Sequence, residues 1–258
     1  MTDAQSIYNR PATFTVIMSS RVSTGVKGID EMLKGGFLPN RAILLRGGPG
    51  TGKTIFSLQY LIEGAKKGEM GLYVTLEEPV DSVRKTATSL NLDLEKYEKE
   101  KLIGIFDGSR MVYKFGEERR GIDAQRPVIS NTIDQLQILV TSSGANRLVI
   151  DSITSAIIHQ RFPTDKRLEV LELMKGLRKM NCNSLITSES ASPAEDEFFV
   201  EEYLADGVII LSNSHRNFAV TKTVWIEKMR GLKHDDQPRK YEISDSGIIV
   251  YASEPVTA

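Results

Sequence analysis

The sequence predicts an α/β protein with a mostly parallel central sheet, helices on its faces and a β-hairpin extension near its end. Three observations support this class. Short apolar runs typical of buried strands alternate with amphipathic helical patterns through the middle of the chain. A glycine-rich stretch separates the first apolar run from the first long helical pattern. Strand patterns alone fill the last part of the chain. Alternating strands and helices are the arrangement that produces a parallel sheet covered by helices.

The first residues differ in character from the rest. Residues 1–20 show little periodicity and are interpreted as an N-terminal tail, either disordered or lying as a strand on a neighbour. Residues 21–258 are interpreted as one domain, because no internal repeat or Pro/Ser-rich linker divides them. Near the start of this domain, a turn leads into a short helix whose inner side carries Ile29, Met32 and Leu33.

Strands and helices are then predicted in alternation. Strands are predicted over residues 42–45, 71–76, 102–106, 147–152, 184–188, 207–212 and 219–229, with a closing hairpin over 241–243 and 248–251. Helices are predicted over residues 56–62, 79–90, 94–101, 129–140 and 168–180. The alternation in the late strand places Val220, Val224 and Ile226 in the core. Residues 107–127 and 189–202 are predicted to be loops, the second of them acidic.

The composition excludes several classes of protein. A formal net charge of -1 gives no bulk attraction to nucleic acid or to an anionic membrane. The single cysteine, Cys182, rules out an internal disulfide framework and fits a reducing compartment. No apolar run approaches the length of a membrane span, and the N-terminus lacks the basic segment and apolar core of a signal peptide. We therefore expect a cytoplasmic protein without a membrane span.

The glycine-rich stretch carries the strongest functional signal. Residues 47–54, GGPGTGKT, fit G-x-x-x-x-G-K-[ST] between a predicted strand and a predicted helix, the context that a P-loop requires. Backbone N–H groups and the positive end of the helix would attract phosphate, Lys53 would reach the β- and γ-phosphates, and the Thr54 hydroxyl would ligate Mg²⁺. The alternative is a glycine-rich turn that only caps a helix. The predicted nucleotide contacts in this stretch are Gly48, Pro49, Gly50, Thr51, Gly52, Lys53, Thr54 and Ile55.

Three carboxylates stand at the ends of predicted strands. Asp151 ends an apolar strand downstream of the P-loop, where it could hold Mg²⁺ directly or through water, although a lone aspartate there is often only a turn former or helix cap. Glu77 and Glu78 end the strand after the P-loop helix, and ligands gather at the carboxyl ends of parallel strands. They could orient or deprotonate an attacking water, with Glu78 also a candidate Mg²⁺ ligand. The alternative is a polar strand end.

Two basic signals lie elsewhere. Lys228 and Arg230 flank Met229, and strand alternation directs both to one face, where they could bind phosphate in their own subunit or in a neighbour. The alternative is an exposed edge strand protected by charge.

Residues 107–127 mix basic and aromatic residues, which could bind single-stranded nucleic acid. Acidic residues dilute that charge and favour a surface loop or a subunit contact.

Taken together, these residues resemble the KaiC-like branch of the RecA superfamily of ATPases. The resemblance runs from about residue 21 to residue 251. The P-loop is common to many families, whereas the paired glutamates together with K-x-R-G are much more specific. The motifs that carry the resemblance are STGVKGID (23–30), GGPGTGKT (47–54), TLEEP (75–79), VIDS (149–152), LADGV (204–208) and KMRG (228–231).

The resemblance implies a RecA-type fold that forms a ring, commonly a hexamer, with ATP between adjacent subunits. It implies that Glu77 and Glu78 act as catalytic base and helper, and that Lys228 and Arg230 contact the γ-phosphate from across the interface. Loop alignment adds further positions that touch the nucleotide: Ser89, Met229, His234 and Asp245.

At two places the sequence differs from the pattern of the family that it resembles. Glu202 and Tyr203 stand where the kinase repeat of the clock protein carries adjacent Ser and Thr acceptors, so the resemblance does not extend to self-phosphorylation. The loop after the strand ending near Ser188 is acidic where recombinases bind DNA, so DNA is not an expected partner.

Three functional hypotheses follow. The first is an oligomeric regulatory or signalling ATPase that hydrolyses ATP with Mg²⁺. The second is a nucleotide-gated assembly protein with little hydrolysis, bound to a motor or signalling partner. The third is a DNA-handling ATPase, against which the acidic loop argues.

Overall fold

The computed structural model describes residues 21–109, 111, 128–154, 163–189, 200–216 and 219–255. The predicted N-terminal tail and most of the two predicted loops, at 107–127 and 189–202, lie outside these residues. The helices in the described ranges are α1 (Ile29–Met32), α2 (Lys53–Lys66), α3 (Val80–Ser89), α4 (Leu94–Lys99), α5 (Val128–Ser143), α6 (Pro163–Lys179) and α7 (Val200–Leu204). The strands are β1 (Ala42–Gly47), β2 (Gly71–Thr75), β3 (Ile103–Asp107), β4 (Arg147–Asp151), β5 (Asn183–Glu189), β6 (Gly207–Arg216), β7 (Ala219–Met229), β8 (Arg239–Ser244) and β9 (Gly247–Pro255).

These strands form one sheet in the order β3-β2-β4-β5-β1-β6-β7-β8-β9. Strands β1 to β6 are parallel, and β7, β8 and β9 continue the sheet in antiparallel fashion. The strand before the P-loop, β1, therefore lies inside the sheet, between β5 and β6. This topology confirms the predicted fold class, including the C-terminal hairpin.

Helices cover both faces of the sheet, which explains why its central strands are apolar runs. On one face, α1 to α4 pack over alternate strand residues such as Tyr73 and Val149. On the other face, α5 and α6 pack over the intervening residues such as Leu72 and Val74. Successive residues of β2 point to opposite faces of the sheet, and both sets of side chains are buried.

The structure corrects two details of the sequence interpretation. Val220 is 54% exposed rather than part of the core, because it lies near the start of β7, before the part of the strand where Val224 and Ile226 join the core cluster. The predicted acidic loop is too long at both ends. Glu189 extends β5, since it pairs with Gly47, and residues 200–204 form α7, in which Glu201 is buried and accepts a hydrogen bond from the Ser188 hydroxyl.

A buried arginine ties the P-loop helix to the sheet. Arg147, which begins β4, is 1% exposed and forms an ion pair with Glu69, with 2.6 Å between Nε and the carboxylate. Its Nη1 donates to the backbone carbonyls of Ser23 (2.7 Å) and Tyr60 (2.8 Å). The guanidinium lies 4.7 Å from the centre of the Tyr60 ring. This one side chain thus joins the N-terminal segment, α2 and β4.

Candidate functional site

The P-loop adopts a conformation that requires glycine at two positions. It connects β1 to α2, and Gly50 (φ 69°) and Gly52 (φ 94°) have left-handed backbones. No atom lies within 4 Å of the position that a Cβ would occupy at Gly48 or Gly50, so the loop surrounds open space. The Lys53 ammonium donates to the carbonyls of Gly47 (2.9 Å) and Gly48 (3.2 Å). A loop with this form at a helix N-terminus is suited to bind an anion.

A cavity of about 350 Å³ lies beside the P-loop, at the carboxyl edge of the sheet. This volume falls in the range of small-ligand sites. Besides P-loop residues, it is lined by Glu77, Glu78 and Asp151, so the structure brings the three predicted carboxylates to one place. A wider groove of about 1010 Å³ follows α3 and α4, but charged side chains such as Arg84 and Glu98 line it and pair with each other there.

The Asp151 carboxylate accepts hydrogen bonds from hydroxyls on three different elements. Thr54 Oγ1, on α2, donates to Oδ2 at 2.9 Å, the Tyr73 phenol on β2 also donates to Oδ2, and Thr187 on β5 donates to Oδ1. The sheet order explains this convergence, because β4 lies between β2 and β5. Burial, the adjacent Asp151 charge and its hydrogen bond raise the pKa of Tyr73 well above its usual value, so the phenol remains a donor.

Glu77 and Glu78 are both exposed at the rim of the cavity. The Ser152 hydroxyl donates to Glu77 Oε1 at 3.1 Å, and the Ser82 hydroxyl donates to Glu78 Oε2 at 3.2 Å. Each glutamate is therefore held by a serine from a different element. On the opposite rim, Glu189 lies 3.9 Å from the Lys53 ammonium.

Lys228 and Arg230 lie at the other edge of the sheet, away from the P-loop of their own chain. Their neighbour Met229 pairs with Gly207, which pairs with Ile43, whereas the P-loop begins four residues further along β1, at Gly47. Four residue steps correspond to about 13 Å. Lys228 Nζ and Arg230 Nη2 both donate to the carbonyl of Tyr203, at 3.1 and 2.8 Å.

The remaining predicted nucleotide contacts divide between the two edges. His234 lies shortly after the Lys228–Arg230 stretch in the chain. Its Nδ1 is 3.3 Å from the carbonyl oxygen of Leu232. Ser89 and Asp245 lie on the P-loop side. The Ser89 hydroxyl donates to the carbonyl of Thr86, a residue of the cavity wall. The amide of Asn91 donates to the carbonyl of Asp245 at 3.3 Å.

Several site residues were not predicted from the sequence. Besides Tyr73 and Thr187, these lie on the C-terminal strands. Lys222 Nζ donates to the P-loop carbonyl of Gly50 at 2.9 Å and to Asn213 Oδ1 at 3.0 Å. The Tyr241 hydroxyl donates to the carbonyl of Thr51 at 2.7 Å. Their local patterns are those of ordinary strand residues, and only the pairing of distant strands brings them to the P-loop.

The donor set fits Mg²⁺ better than a metal held by protein alone. Among the described residues, no group of three or more His, Cys, Asp or Glu side chains could enclose a metal ion. Mg²⁺ usually takes only one or two protein ligands and completes its shell with water and phosphate oxygens. Thr54 and Asp151, 2.9 Å apart beside the P-loop, supply that kind of partial oxygen site.

The fold and the site define the class of protein: a P-loop nucleotide-binding protein of the RecA type. The family model described as "ATPase: KaiC" matches residues 22–255. The chain belongs to the KaiC family of ATPases.

Relatives from several organisms match this chain over about 90% of its length. The UPF0273 protein PH0284 of Pyrococcus horikoshii is 35% identical over 237 residues, which cover 91% of this chain and 95% of the relative. A UPF0273 protein of Thermotoga maritima is 33% identical over 240 residues, covering 92% and 98%. The circadian clock protein KaiC3 of Synechocystis is 28% identical over 239 residues, which cover 89% of this chain but 45% of KaiC3.

A solved structure supports the same assignment. The crystal structure of the KaiC-like protein PH0186 from Pyrococcus horikoshii matches with a TM-score of 0.75 and 35% sequence identity, covering 90% of this chain and 98% of that one.

In the described part of this chain, helices are too short or too polar to cross a membrane.

Proposed function

We propose that this chain binds ATP together with Mg²⁺ and hydrolyses it, and that it works as a ring-shaped homo-oligomer with a regulatory or signalling role. The observation that carries this proposal is the convergence of the P-loop, Asp151 and the two glutamates on one cavity. Membership of the KaiC ATPase family supports it. The proposed ATPase domain comprises residues 21–258, with residues 1–20 as a tail.

In this proposal the P-loop holds the phosphates. Its backbone N–H groups and the start of α2 attract the anion, and Lys53 exchanges its carbonyl partners at Gly47 and Gly48 for phosphate oxygens. Thr54 and Asp151 would hold Mg²⁺, and Glu78, which lines the same cavity, is the proposed further ligand. Mg²⁺, when bound, neutralises charge on the β- and γ-phosphates.

Glu77 is the proposed base, and Glu78 its helper. The Ser152 hydroxyl fixes one carboxylate oxygen of Glu77 and leaves the other to accept a proton from water. Because Glu77 is exposed at the cavity rim, its free carboxylate oxygen would be accessible to an attacking water molecule. Stabilising groups around the phosphoryl oxygens supply the rest of the rate enhancement.

Glu77→Gln tests the base. This variant should lose about 100-fold or more in turnover while its affinity for ATP stays near that of the unaltered chain. Glu95→Gln is a matched control, because Glu95 is exposed on α4 and pairs with Lys99. Steady-state ATPase rates and binding of a fluorescent ATP analogue measure the two properties. Unchanged turnover in Glu77→Gln would refute the assignment, and tight ATP binding without turnover in the unaltered chain would favour the nucleotide-gated assembly protein.

The neighbouring subunit is proposed to complete the site with Lys228 and Arg230. The support is their position at the far edge of the sheet, about 13 Å or more from their own P-loop. A basic pair held by the Tyr203 carbonyl is already oriented together, as a γ-phosphate contact requires. Met229 and His234 belong to the same proposed surface, whereas Ser89 and Asp245 are proposed to contact the nucleotide near α3.

Mixed rings test this contribution. An Arg230→Ala subunit keeps an intact P-loop, and a Lys53→Ala subunit keeps an intact Arg230, so a mixed ring contains some complete sites. Mixing the two inactive variants should therefore recover part of the ATPase activity. If both variants assemble but no mixture is active, Arg230 does not act across the interface.

Three further properties belong to this proposal. The ring is proposed to be a hexamer, which a mass measurement in the presence of nucleotide would check. A motor or signalling protein is the proposed kind of partner, and DNA is not one. A cytoplasmic location is supported by Cys182, a buried free thiol of the kind found in reducing compartments.

A further inference from the structure

The carboxylate of Asp151 accepts hydrogen bonds from three hydroxyl groups. Thr54 and Tyr73 both donate to Oδ2, and Thr187 donates to Oδ1. A carboxylate offers about four acceptor positions. Three of them are occupied by hydroxyls that come from α2, β2 and β5, so the carboxylate is fixed against rotation.

We propose that Tyr73 is a positioning residue for the Mg²⁺ site: its phenol holds Asp151 in the orientation that serves the metal. This inference rests on the proposed function in one respect, namely that Thr54 and Asp151 hold Mg²⁺. Tyr73 itself lies too far inside to line the cavity, since its side chain is fully buried between β2 and the helices above it. It acts on the metal through Asp151.

The two other hydroxyls cannot replace this contact. Thr54 is itself a proposed metal ligand, so its oxygen must serve the cation as well as Asp151. Thr187 holds only the opposite oxygen, Oδ1. Without the phenol, Oδ2 keeps only the Thr54 hydroxyl, which is itself a proposed metal ligand. Partners behind a metal ligand orient it, and their loss typically reduces metal affinity by about 10- to 100-fold.

A merely structural tyrosine would behave differently. A buried phenol needs some acceptor, and Asp151 could simply be the nearest one. In that case its removal would change the free energy of unfolding but not the affinity for metal. The matched control is Tyr60, which is also buried, lies on α2, and donates its hydroxyl to the backbone carbonyl of Asn183 at 3.4 Å, away from the cavity.

The experiment measures Mn²⁺ binding to the full chain in the presence of ADP, by electron paramagnetic resonance. Tyr73→Phe should raise the Mn²⁺ dissociation constant about 10- to 100-fold, and Tyr60→Phe should change it less than twofold. The Mg²⁺ concentration for half-maximal turnover should rise in parallel in Tyr73→Phe, with turnover largely restored at high Mg²⁺. Affinity for ADP without metal should stay unchanged, which shows that the P-loop is intact.

Two outcomes separate this inference from the proposed function. If Asp151→Asn abolishes Mn²⁺ binding while Tyr73→Phe and Tyr60→Phe behave alike, the role of Tyr73 is refuted and the metal site stands. If Asp151→Asn leaves Mn²⁺ binding unchanged, the proposed metal site itself fails, and the inference falls with it. Thr187→Val provides a second variant, because it removes the other fixed donor to the carboxylate and should weaken Mn²⁺ binding in the same direction.

Discussion

Replacing Arg147 by methionine tests whether a buried charge joins the elements around the P-loop helix. The change removes the 2.6 Å ion pair with Glu69 and both hydrogen bonds to backbone carbonyls, but keeps a long apolar side chain against Tyr60. Removing one partner of a buried pair costs about 3 to 5 kcal/mol. Glu69 is 35% exposed and regains water, so the expected loss is at the lower end, about 3 kcal/mol. For a chain of this size, that corresponds to a melting temperature lower by about 6 to 12 °C.

Arg84→Met is the matched control for this prediction. Arg84 also contacts carboxylates, those of Glu98 (2.9 Å) and Asp81 (3.2 Å), but its side chain is 47% exposed. An exposed pair contributes less than about 1 kcal/mol. Urea unfolding without nucleotide, at one protein concentration, gives the free energy of unfolding for each variant. High salt should shrink the effect of Arg84→Met and leave that of Arg147→Met nearly unchanged.

The result that would contradict this reasoning is equal destabilisation by the two variants. A loss below about 1 kcal/mol for Arg147→Met would also contradict it. Such a result would show that the free energy of desolvating the guanidinium is about as large as the stabilisation from its ion pair and hydrogen bonds.

Two further predictions concern the P-loop and α2. Gly52→Ala should weaken binding of a fluorescent ATP analogue about tenfold, because a left-handed alanine at φ 94° is strained by about 1 to 2 kcal/mol and the free loop relieves this strain by leaving the conformation that binds the anion. The matched control is Gly144→Ala, which has a similar left-handed backbone (φ 67°) and open space but lies between α5 and β4, and which should bind as the unaltered chain does. Burial alone would raise the pKa of Glu63, but hydrogen bonds from Lys67 and Ser23 lower it below its ordinary value of 4.5. Glu63→Gln should therefore lower the free energy of unfolding at neutral pH. The difference from the unaltered chain should disappear as the pH falls through the lowered pKa of Glu63, and urea unfolding at several pH values would measure it.

The parts of the site that the sequence predicted are those encoded by short-range patterns. The P-loop lies within eight consecutive residues, and Glu77, Glu78 and Asp151 follow directly on apolar strands whose carboxyl ends must meet at one edge. Local sequence therefore suffices to place these groups near one another. The structure brings them to one cavity.

The site residues that were not predicted from the sequence come together only through the pairing of strands that are distant in the chain. Tyr73 and Thr187 look like ordinary strand residues until β2, β4 and β5 are placed side by side. Lys222 reaches Gly50 only because β7 returns beside β6. The exposure of Val220 has a similar cause, since alternation identifies one face of a strand but not how far along the strand that face is buried.

The course of β7 gives the molecule a mechanical property. At one point it touches the P-loop through Lys222, and six residues later, about 20 Å away, it presents Lys228 at the opposite edge. Between these two contacts the pairing of β7 with β6 shifts register, so Glu227 is an extra residue in β7, and an extra residue of this kind bends a strand and increases its twist. In the proposed ring, each β7 would lead from the nucleotide at its own P-loop to the nucleotide of the next subunit, and the degree of bending at Glu227 would set the distance between those two contacts.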